Sequence, residues 1–413
     1  MRASWSVGIA LLVLPLVSVL AAPPGPLLSR GHSVDWWFVF KLNKTVFEGC
    51  EGNSQRTCPF GGTPQNYRGG QKFVYASSKD SKLQEGSDCA GDSTDDPIGA
   101  TYDEIYNGSY NYVVWNDQFK GDPQISACGK GDCNGPWGHS KGILAWDDSG
   151  GVIMQVTTPS WPGSGSSKHP RTEDGNSLGC TTDNNIEYSQ HFFALKLSKA
   201  DVETVLKALV NASVATDPSN PQLVHVDKGD ALEQLVNSLG RKSTSVTVLK
   251  SQLSTGVTVI SKPSALHAPP WQLVSSELDG DDLLAATWWD GPYVPSTDAH
   301  THIGCWPETL SAPGSVLIAL SGNWDNKSFG LRAGANHAKI GASATSGKYA
   351  IFGDENQQGA ISGSDRDCAK SQNGRGGLFF VLKEKGIAKS VLQLITGDTD
   401  PIGVIPEKKK GST

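Results

Sequence analysis

Two His-x-Lys motifs contain the residues of this sequence that are best suited to chemistry. They are Gly138-His139-Ser140-Lys141-Gly142 and Asn336-His337-Ala338-Lys339-Ile340, and of the nine histidines only these two stand in that pattern. Residues i and i+2 of a strand point to the same face, so each motif would place an imidazole beside an ammonium group. Residues of strand character follow both motifs, at 142–146 and 340–344. The sequence therefore predicts two matching cationic pairs.

Together the two pairs could hydrolyse a phosphodiester. The lysines would stabilise the charge that develops on the phosphoryl oxygens. One neutral histidine can attack phosphorus and form a phosphohistidine, while the other, protonated, donates to the leaving oxygen and later activates water. The scheme needs no metal and no other cofactor. Repulsion among the four groups should lower the pKa values of the histidines, although spacing alone leaves surface or structural roles open for both.

Short apolar runs bounded by turn residues predict many strands and few helices. Strands are predicted at 36–42, 110–115, 142–146, 152–156, 192–197, 246–249, 257–260, 316–320, 349–352 and 378–382. Helices are predicted at 199–211, 230–239, 279–289 and 385–395. The mixture favours an α/β sandwich whose central sheets are covered by helices.

The beginning of the chain resembles a secretory signal peptide over residues 1–22. Arg2 precedes an apolar run at 7–20 that is too short for a membrane anchor and is interrupted by Pro15. The eight cysteines favour disulfides over zinc ligation, with the pairing left open. Four Asn-x-Ser/Thr sequons are predicted to be surface glycosylation sites, at Asn43, Asn107, Asn211 and Asn326.

The remaining length exceeds that of a usual single domain. We expect two halves, 23–200 with the first His-x-Lys motif and 201–413 with the second. The net charge of -7 is unlike that of a typical nucleic-acid-binding domain. A polyanion would therefore have to bind at a local cationic site, and acidic pH would help because histidines become charged.

Several further motifs, in the same order along the chain, resemble the deoxyribonuclease II family. They are Val34-Asp35-Trp36-Trp37-Phe38-Val39-Phe40-Lys41-Leu42, Trp115-Asn116-Asp117-Gln118, the segment from Gly138 to Pro162, Gly280-Asp281-Asp282-Leu283, His337-Ala338-Lys339, Gly353-Asp354-Glu355-Asn356 and Arg375-Gly376-Gly377. Their order and spacing are more specific than any one of them.

The resemblance implies a phospholipase D-like fold, a pseudo-dimer of two α/β sandwich halves with central mixed sheets. It also implies a secreted or lysosomal enzyme that cleaves DNA at acidic pH without metal and leaves 3′-phosphate and 5′-hydroxyl ends. The residues that it carries over as catalytic are His139, Lys141, His337 and Lys339, with His139 favoured as the attacking group. Those that it carries over as supporting or phosphate-binding are Asn116, Asp117, Ser160, Asp354 and Asn356.

The chain departs from the broader superfamily at a few positions. Trp146 and Ala344 replace the aspartate of the longer H-x-K-x4-D motif, as in the deoxyribonuclease II branch, and Ser160 stands where that family often has Asn. A phosphodiesterase acting on RNA or phospholipid, and a catalytically silent secreted glycoprotein that binds polyanions or carbohydrate, remain alternatives. The formation of a homodimer is also left open.

Other polar and aromatic residues have weaker claims to a function. His300 and His302 could form half of a metal site, but no second pair stands at ligand spacing. Two tryptophans near the first motif could stack on bases, Trp137 and Trp161. Four loop cations could meet backbone phosphates or be ordinary surface charges, namely Lys130, Lys168, Arg171 and Arg375.

Overall fold

The computed structural model describes residues 22–48, 71–87, 89–91, 93–118, 125–129, 132–158 and 187–403. The predicted signal peptide, apart from residue 22, lies outside the described residues. So do Ser160, Trp161, Lys130, Lys168 and Arg171.

Strands dominate the described part of the chain. They are β1 (Leu27–Ser29), β2 (His32–Ser33), β3 (Trp36–Lys41), β4 (Phe73–Ser77), β5 (Gln84–Glu85), β6 (Asn111–Asn116), β7 (Lys141–Trp146), β8 (Gly150–Val156), β9 (Gln190–Ser198), β10 (Val224–His225), β11 (Leu249–Gln252), β12 (Thr258–Lys262), β13 (Leu283–Ala286), β14 (Val316–Ile318), β15 (Ser321–Trp324), β16 (Lys327–Gly330), β17 (Ile340–Ser343), β18 (Ala350–Gly353) and β19 (Gly377–Leu382). The helices are α1 (Pro97–Asn107), α2 (Lys199–Asn211), α3 (Glu233–Val236), α4 (Pro270–Glu277), α5 (Asp365–Cys368) and α6 (Lys385–Ile395), with 3-10 turns at Ser126–Cys128, Ser264–Leu266 and Ser371–Gly374.

Two large sheets form the framework. The first has eight strands in the order β10-β6-β7-β8-β9-β3-β4-β5, and all of its neighbours are antiparallel. The second has seven strands in the order β11-β12-β19-β18-β17-β13-β14, and β13 and β14 are its one parallel pair. The predicted α/β class is confirmed.

The two sheets pack face to face through aromatic side chains. Phe352 of the second sheet stacks on Phe38 and Phe193 of the first, with ring centroids 4.4 and 4.7 Å apart. Helix α2 packs against β8 and β9 of the first sheet and against β12 and β19 of the second. Central strands such as β3 and β7 are buried along their whole length. Burial of both faces explains why each of these strands is a continuous apolar run apart from one terminal lysine.

Local sequence sets the start of α2. The hydroxyl of Ser198 accepts from the backbone of Asp201, and the Asp201 carboxylate accepts from the backbone of Ser198, which forms a capping box. Val202, Val205 and Leu209 then follow at helical spacing and are buried against the sheets. The predicted helix at 199–211 is confirmed, as is the one at 385–395.

Three predicted elements are wrong or displaced. Residues 279–289 contain strand β13 instead of a helix, because Asp279 and Gly280 adopt positive φ angles and the next apolar residues pair in the sheet. Only Glu233–Val236 is helical within 230–239. The strand predicted at 246–249 begins at Leu249. Tertiary pairing overrides the weak local helical preference at 279–289.

The structure tests the predicted glycosylation sites and disulfides, with different outcomes. The amides of Asn43 and Asn211 are buried, and they bind the Ser189 hydroxyl and the Ser261 carbonyl, so these two sequons are not surface sites. Asn107 and Asn326 are exposed. Disulfides join Cys128 to Cys133 and Cys305 to Cys368, which confirms bridging for these four cysteines. Within the described ranges, every helix is too short or too polar to cross a bilayer.

Candidate active site

Both His-x-Lys motifs lead into central strands. Lys141 is the first residue of β7, and Lys339 immediately precedes β17. The histidines therefore lie just before the strands, whereas the sequence had suggested that the whole motif would be extended. β7 lies between β6 and β8, and β17 lies between β13 and β18.

The backbone of each motif is held by the opposite sheet. The His139 N–H donates to the carbonyl of Gly376, which precedes β19, at 2.8 Å. The His337 N–H donates to the carbonyl of Ser189, which precedes β9, at 2.7 Å. A Cβ on Gly376 would lie 2.1 Å from the carbonyl oxygen of Ala212, so the close approach requires glycine. Each histidine is thus positioned by a strand that belongs to the other sheet.

One cavity of about 230 Å³ collects the side chains of both motifs. His139, Lys141, His337 and Lys339 all line it. Its other lining residues are Gln118, Thr157, Trp288, Asn356, Gln358, Gln372 and Arg375. The structure therefore brings together the four residues that the sequence paired by pattern alone.

A buried carboxylate on one side of the cavity binds two cations and the imidazole of His139. Asp117 accepts from His139 Nδ1 at 2.8 Å, from Lys141 Nζ at 2.7 Å and from Arg375 Nη2 at 2.8 Å. Burial raises the pKa of Asp117, but the charges of Lys141, His139 and Arg375 outweigh it and hold that pKa well below its usual range. Asp117 therefore stays ionised and orients the imidazole of His139.

Aromatic rings surround the second histidine. Tyr188 stacks on His337 with ring centroids 4.1 Å apart, and Trp288 meets it edge to face at 5.9 Å. Lys339 Nζ donates to the backbone carbonyl of His337 at 2.7 Å. Among the described residues, no side chain is hydrogen-bonded to the imidazole of His337. The two histidines thus have different surroundings.

Strand register shows where the difference arises. Asn116 pairs with Lys141 between β6 and β7, so Asp117 is the next residue beyond that pair. Ala286 pairs with Ile340 between β13 and β17, which places Trp288 at the corresponding position in the second sheet. The two corresponding positions therefore carry different groups, a carboxylate beside His139 and an indole beside His337.

Burial shifts several pKa values in the cavity. It lowers the pKa of His139 to about 3, although Asp117 favours the charged form, and lowers that of His337 to about 2 with repulsion from Lys339 added. Burial and the charge of Lys141 lower the pKa of Lys339 to about 7. Burial raises the pKa of Asp354 to about 7. For both histidines, the cause predicted from sequence, mutual repulsion, ranks below burial.

The predicted supporting residues lie at different distances from the cavity. Asn356 lines it, and its Nδ2 donates to Gln358 Oε1 at 3.1 Å, whereas Asn356 Oδ1 has no partner among the described residues. Asp354 is buried, does not line the cavity and accepts from the Leu378 N–H at 3.0 Å. Asn116 accepts from the Gln118 N–H at 2.8 Å and does not line the cavity.

Arg375 has a structural task that the sequence did not reveal. Besides Asp117, it donates to the carbonyls of Cys133, Trp137 and Gly138 at 2.6, 2.9 and 3.0 Å. It is buried and lines the cavity, so it is not an ordinary surface charge. Its contact with a phosphate stays a prediction. Trp137 is also buried, which removes it as a base-stacking surface.

His191 is a buried histidine that pattern analysis missed. Its Nδ1 accepts from the Lys339 N–H at 3.2 Å, and burial holds its pKa well below the usual range. It therefore links β9 of the first sheet to the second motif as a neutral group. In the part of the chain that the structure describes, no group of three or more His, Cys, Asp or Glu side chains is arranged to hold a metal ion, and this includes the region of His300 and His302.

Comparison with known proteins shows similarity to nucleases. The family profile described as Deoxyribonuclease II matches residues 27–398. Cell-death-related nuclease 7 of Caenorhabditis elegans is 27% identical over 158 residues. That alignment covers 37% of this chain and 35% of the relative, so the chain spans about a third of that relative's length. The family resemblance inferred from motif order is confirmed.

Proposed function

Since the chain belongs to the deoxyribonuclease II family, we propose that it is an acid endodeoxyribonuclease. It would hydrolyse DNA phosphodiester bonds through a phosphohistidine, without a metal ion, and leave 3′-phosphate and 5′-hydroxyl ends. The observation that carries this proposal is that His139, Lys141, His337 and Lys339 line one cavity. Two imidazoles and two ammonium groups in one cavity can provide a nucleophile, an acid and stabilisation of the charge on phosphorus.

The architecture that we propose for this enzyme is a phospholipase D-like pseudo-dimer, with halves at 23–200 and 201–413. Its support is the repeated strand order, β6-β7-β8-β9-β3 in one sheet and β13-β17-β18-β19-β12 in the other. A His-x-Lys motif leads into the second strand of each series. The hydrogen bonds from His139 to Gly376 and from His337 to Ser189 are reciprocal.

His139 is the proposed nucleophile. Its hydrogen bond to the ionised Asp117 requires a proton on Nδ1, which leaves a lone pair on Nε2. Nε2 attacks phosphorus, the P–O5′ bond breaks, and the departing oxygen takes a proton from the His337 imidazolium. The 3′-nucleotide then remains on His139 as a phosphoramidate, and the 5′-hydroxyl strand leaves.

Water completes the reaction at the same centre. His337, now neutral, removes a proton from a water molecule, and the resulting hydroxide attacks phosphorus. The P–N bond breaks, His139 regains its lone pair and the 3′-phosphate is released. The balance is one diester and one water for one 3′-phosphate and one 5′-hydroxyl, with both histidines restored.

Lys141 and Lys339 would stabilise the phosphoryl oxygens throughout. Each ammonium has three donors, and in each case the structure shows one of them bound within the protein, at Asp117 for Lys141 and at the His337 carbonyl for Lys339. Both ammonium groups line the cavity. They would therefore offer the positive charge that a phosphodiester requires during in-line attack.

We propose that the protein acts after export, in secretions or in the lysosome. The disulfides Cys128–Cys133 and Cys305–Cys368 support this location because such bonds persist in oxidising compartments. Low lysosomal pH would also favour the protonated His337 that the first step needs.

Plasmid cleavage at about pH 5 in EDTA tests the function. The wild type should nick and linearise DNA, whereas His139→Ala and His337→Ala should each be inactive within detection. His225→Ala is a matched control, because His225 is half exposed and lies on the edge strand β10. Cleavage that needs added metal, or that survives both active-site substitutions, would refute the proposal. Turnover of RNA or phospholipid but not DNA would instead favour a related phosphodiesterase.

A further inference from the structure

The cavity has two unlike sides, one ionic and one aromatic. Asp117 and Arg375 form an ion pair beside His139. Tyr188 and Trp288 enclose His337. A phosphodiester also has two unlike sides, because one nucleoside stays on phosphorus and the other departs. A cavity with two unlike sides can therefore favour one orientation of the DNA strand, with a particular nucleoside on each side.

Trp288 is a large aromatic residue that lines the cavity. Its indole N–H donates to the carbonyl of Ala333 at 2.9 Å, which fixes the ring in place. The residue is half-buried, and it lines the cavity beside His337. A fixed, partly open indole next to a phosphate site can stack on a nucleobase, since every base offers a π-face.

An unpaired acceptor lies on the same side. Asn356 is 4% exposed and lines the cavity, and its Oδ1 has no hydrogen-bond partner among the described residues. Its Nδ2 is held by Gln358, whose Nε2 donates in turn to the carbonyl of Asp290 at 2.6 Å. A phosphodiester anion offers no proton to such an acceptor, whereas the N–H groups of a nucleobase do.

We propose that Trp288, Asn356 and Gln358 form the subsite for the leaving nucleoside, the nucleoside whose 5′-oxygen departs. This inference rests on the proposed function, in which His337 protonates the leaving oxygen. The departing nucleoside must then lie on the His337 side, where Trp288 stands. Stacking holds its base, Asn356 Oδ1 accepts from a base N–H, and Gln358 keeps the Asn356 amide in place.

Abasic substitution tests the subsite with the full-length protein. The substrate is a 12-nucleotide strand whose central linkage is the one phosphodiester, with uncharged methylphosphonates elsewhere. Three versions are compared: an intact strand, one with an abasic residue on the leaving side, and one with an abasic residue on the retained side. We expect wild-type kcat/KM to fall about 5- to 150-fold for the leaving-side version, the size of one base–aromatic stack.

Variants at Trp288 make the test a double-mutant cycle. Trp288→Ala should lose a similar factor on the intact strand and show no further loss on the leaving-side abasic strand. Trp288→Phe keeps a stacking ring and should retain part of the base dependence. Trp289→Ala is the matched control, because this neighbouring indole stacks on Tyr293 at 4.4 Å and does not line the cavity. Ratios between substrates cancel any loss of folded protein.

The outcomes separate the inference from the function. Wild-type cleavage that is equally fast with and without the leaving-side base overturns the subsite and leaves the nuclease intact. The subsite is also overturned if wild-type kcat/KM depends on the retained-side base instead. The same holds if Trp288→Ala loses as much kcat/KM as the wild type when the leaving-side base is removed. Absence of cleavage of all three strands by the wild type in EDTA overturns the proposed function, and the subsite with it.

Discussion

Asp117 and Trp288 occupy corresponding positions beside the two histidines of this protein. Asp117 lies 2.8 Å from His139 Nδ1, whereas Trp288 meets the ring of His337 edge to face at 5.9 Å. The first arrangement fixes the tautomer of an imidazole, and the second leaves the imidazole without a carboxylate partner among the described residues. The two similar motifs therefore have different surroundings, as the two different roles that we propose for their histidines require.

Replacing the orienting carboxylate should slow catalysis more than it affects folding. In the Asp117→Asn variant the side-chain amide can still form a hydrogen bond with His139. It is uncharged, however, so it cannot both fix the proton on His139 Nδ1 and balance the positive charges of Lys141 and Arg375. We expect kcat to fall about 10²- to 10⁴-fold, measured on plasmid DNA with folded protein quantified by circular dichroism. Asp148→Asn is the control, since Asp148 is exposed and pairs with Lys199. Equal activity of Asp117→Asn and wild type would contradict the orienting role.

Activity should fall as the pH rises from 4 to 8. The pKa of His337 is lowered to about 2, so its protonated form becomes rarer as pH rises. Above pH 7 the ammonium of Lys339, with a pKa of about 7, loses its charge, and Asp354, also near 7, gains one. Each of these three changes makes the cavity less positive, and this weakens the binding or slows the cleavage of an anion. A profile of kcat/KM in EDTA that is flat or rising over this range would contradict this account.

The buried pair of Lys262 and Glu355 should give a pH-dependent loss of stability. Lys262 Nζ lies 3.6 Å from Glu355 Oε1 and donates to the carbonyls of Gln372 and Asn373. Burial raises the pKa of Glu355 to about 8, so this carboxyl is neutral in the folded protein at pH 5. Lys262→Met should therefore lower the free energy of unfolding by about 3–5 kcal/mol above pH 8 and by less at pH 5.

Urea unfolding of three proteins at both pH values makes this comparison. The double variant Lys262→Met/Glu355→Gln also removes the unpaired buried charge of Glu355. It should therefore recover much of the lost free energy of unfolding above pH 8. An identical loss for Lys262→Met at pH 5 and pH 9, or no recovery in the double variant, would show that charge is not the cause.

A side chain at position 376 should lower both the stability and the activity of the protein. A Cβ there would meet the Ala212 carbonyl oxygen at 2.1 Å, in the segment that accepts the His139 N–H. We expect Gly376→Ala to cost about 1–3 kcal/mol of stability and to lower kcat as His139 shifts. Gly334→Ala is the control, because nothing lies within 4 Å of its added Cβ and its change should stay within about 0.5 kcal/mol. Similar stabilities and rates for the two variants would argue against a tight approach.

Most of the central strands and the two His-x-Lys pairs could be predicted from the sequence, but the contacts around them could not. Fully buried strands such as β7 and β8 contain continuous apolar runs, at 142–146 and 150–154, and the His-x-Lys pattern is visible without any structure. The contact between Asp117 and Arg375 joins residues that lie far apart in the chain, so it depends on how the two sheets pack. Strand β13 is not visible in the sequence because its strand structure depends on pairing with β14 and β17, and three of its four residues pair on both sides.

The most direct measurement is detection of the covalent intermediate. With thymidine 3′-(4-nitrophenyl phosphate), whose leaving group needs no acid, His337→Ala should release a burst of one nitrophenolate per active site in EDTA. Mass spectrometry after an alkaline quench should then find thymidine 3′-phosphate on the peptide that contains His139. His139→Ala should give neither burst nor adduct. An adduct on another residue, or no burst from His337→Ala together with activity of the wild type, would contradict the account.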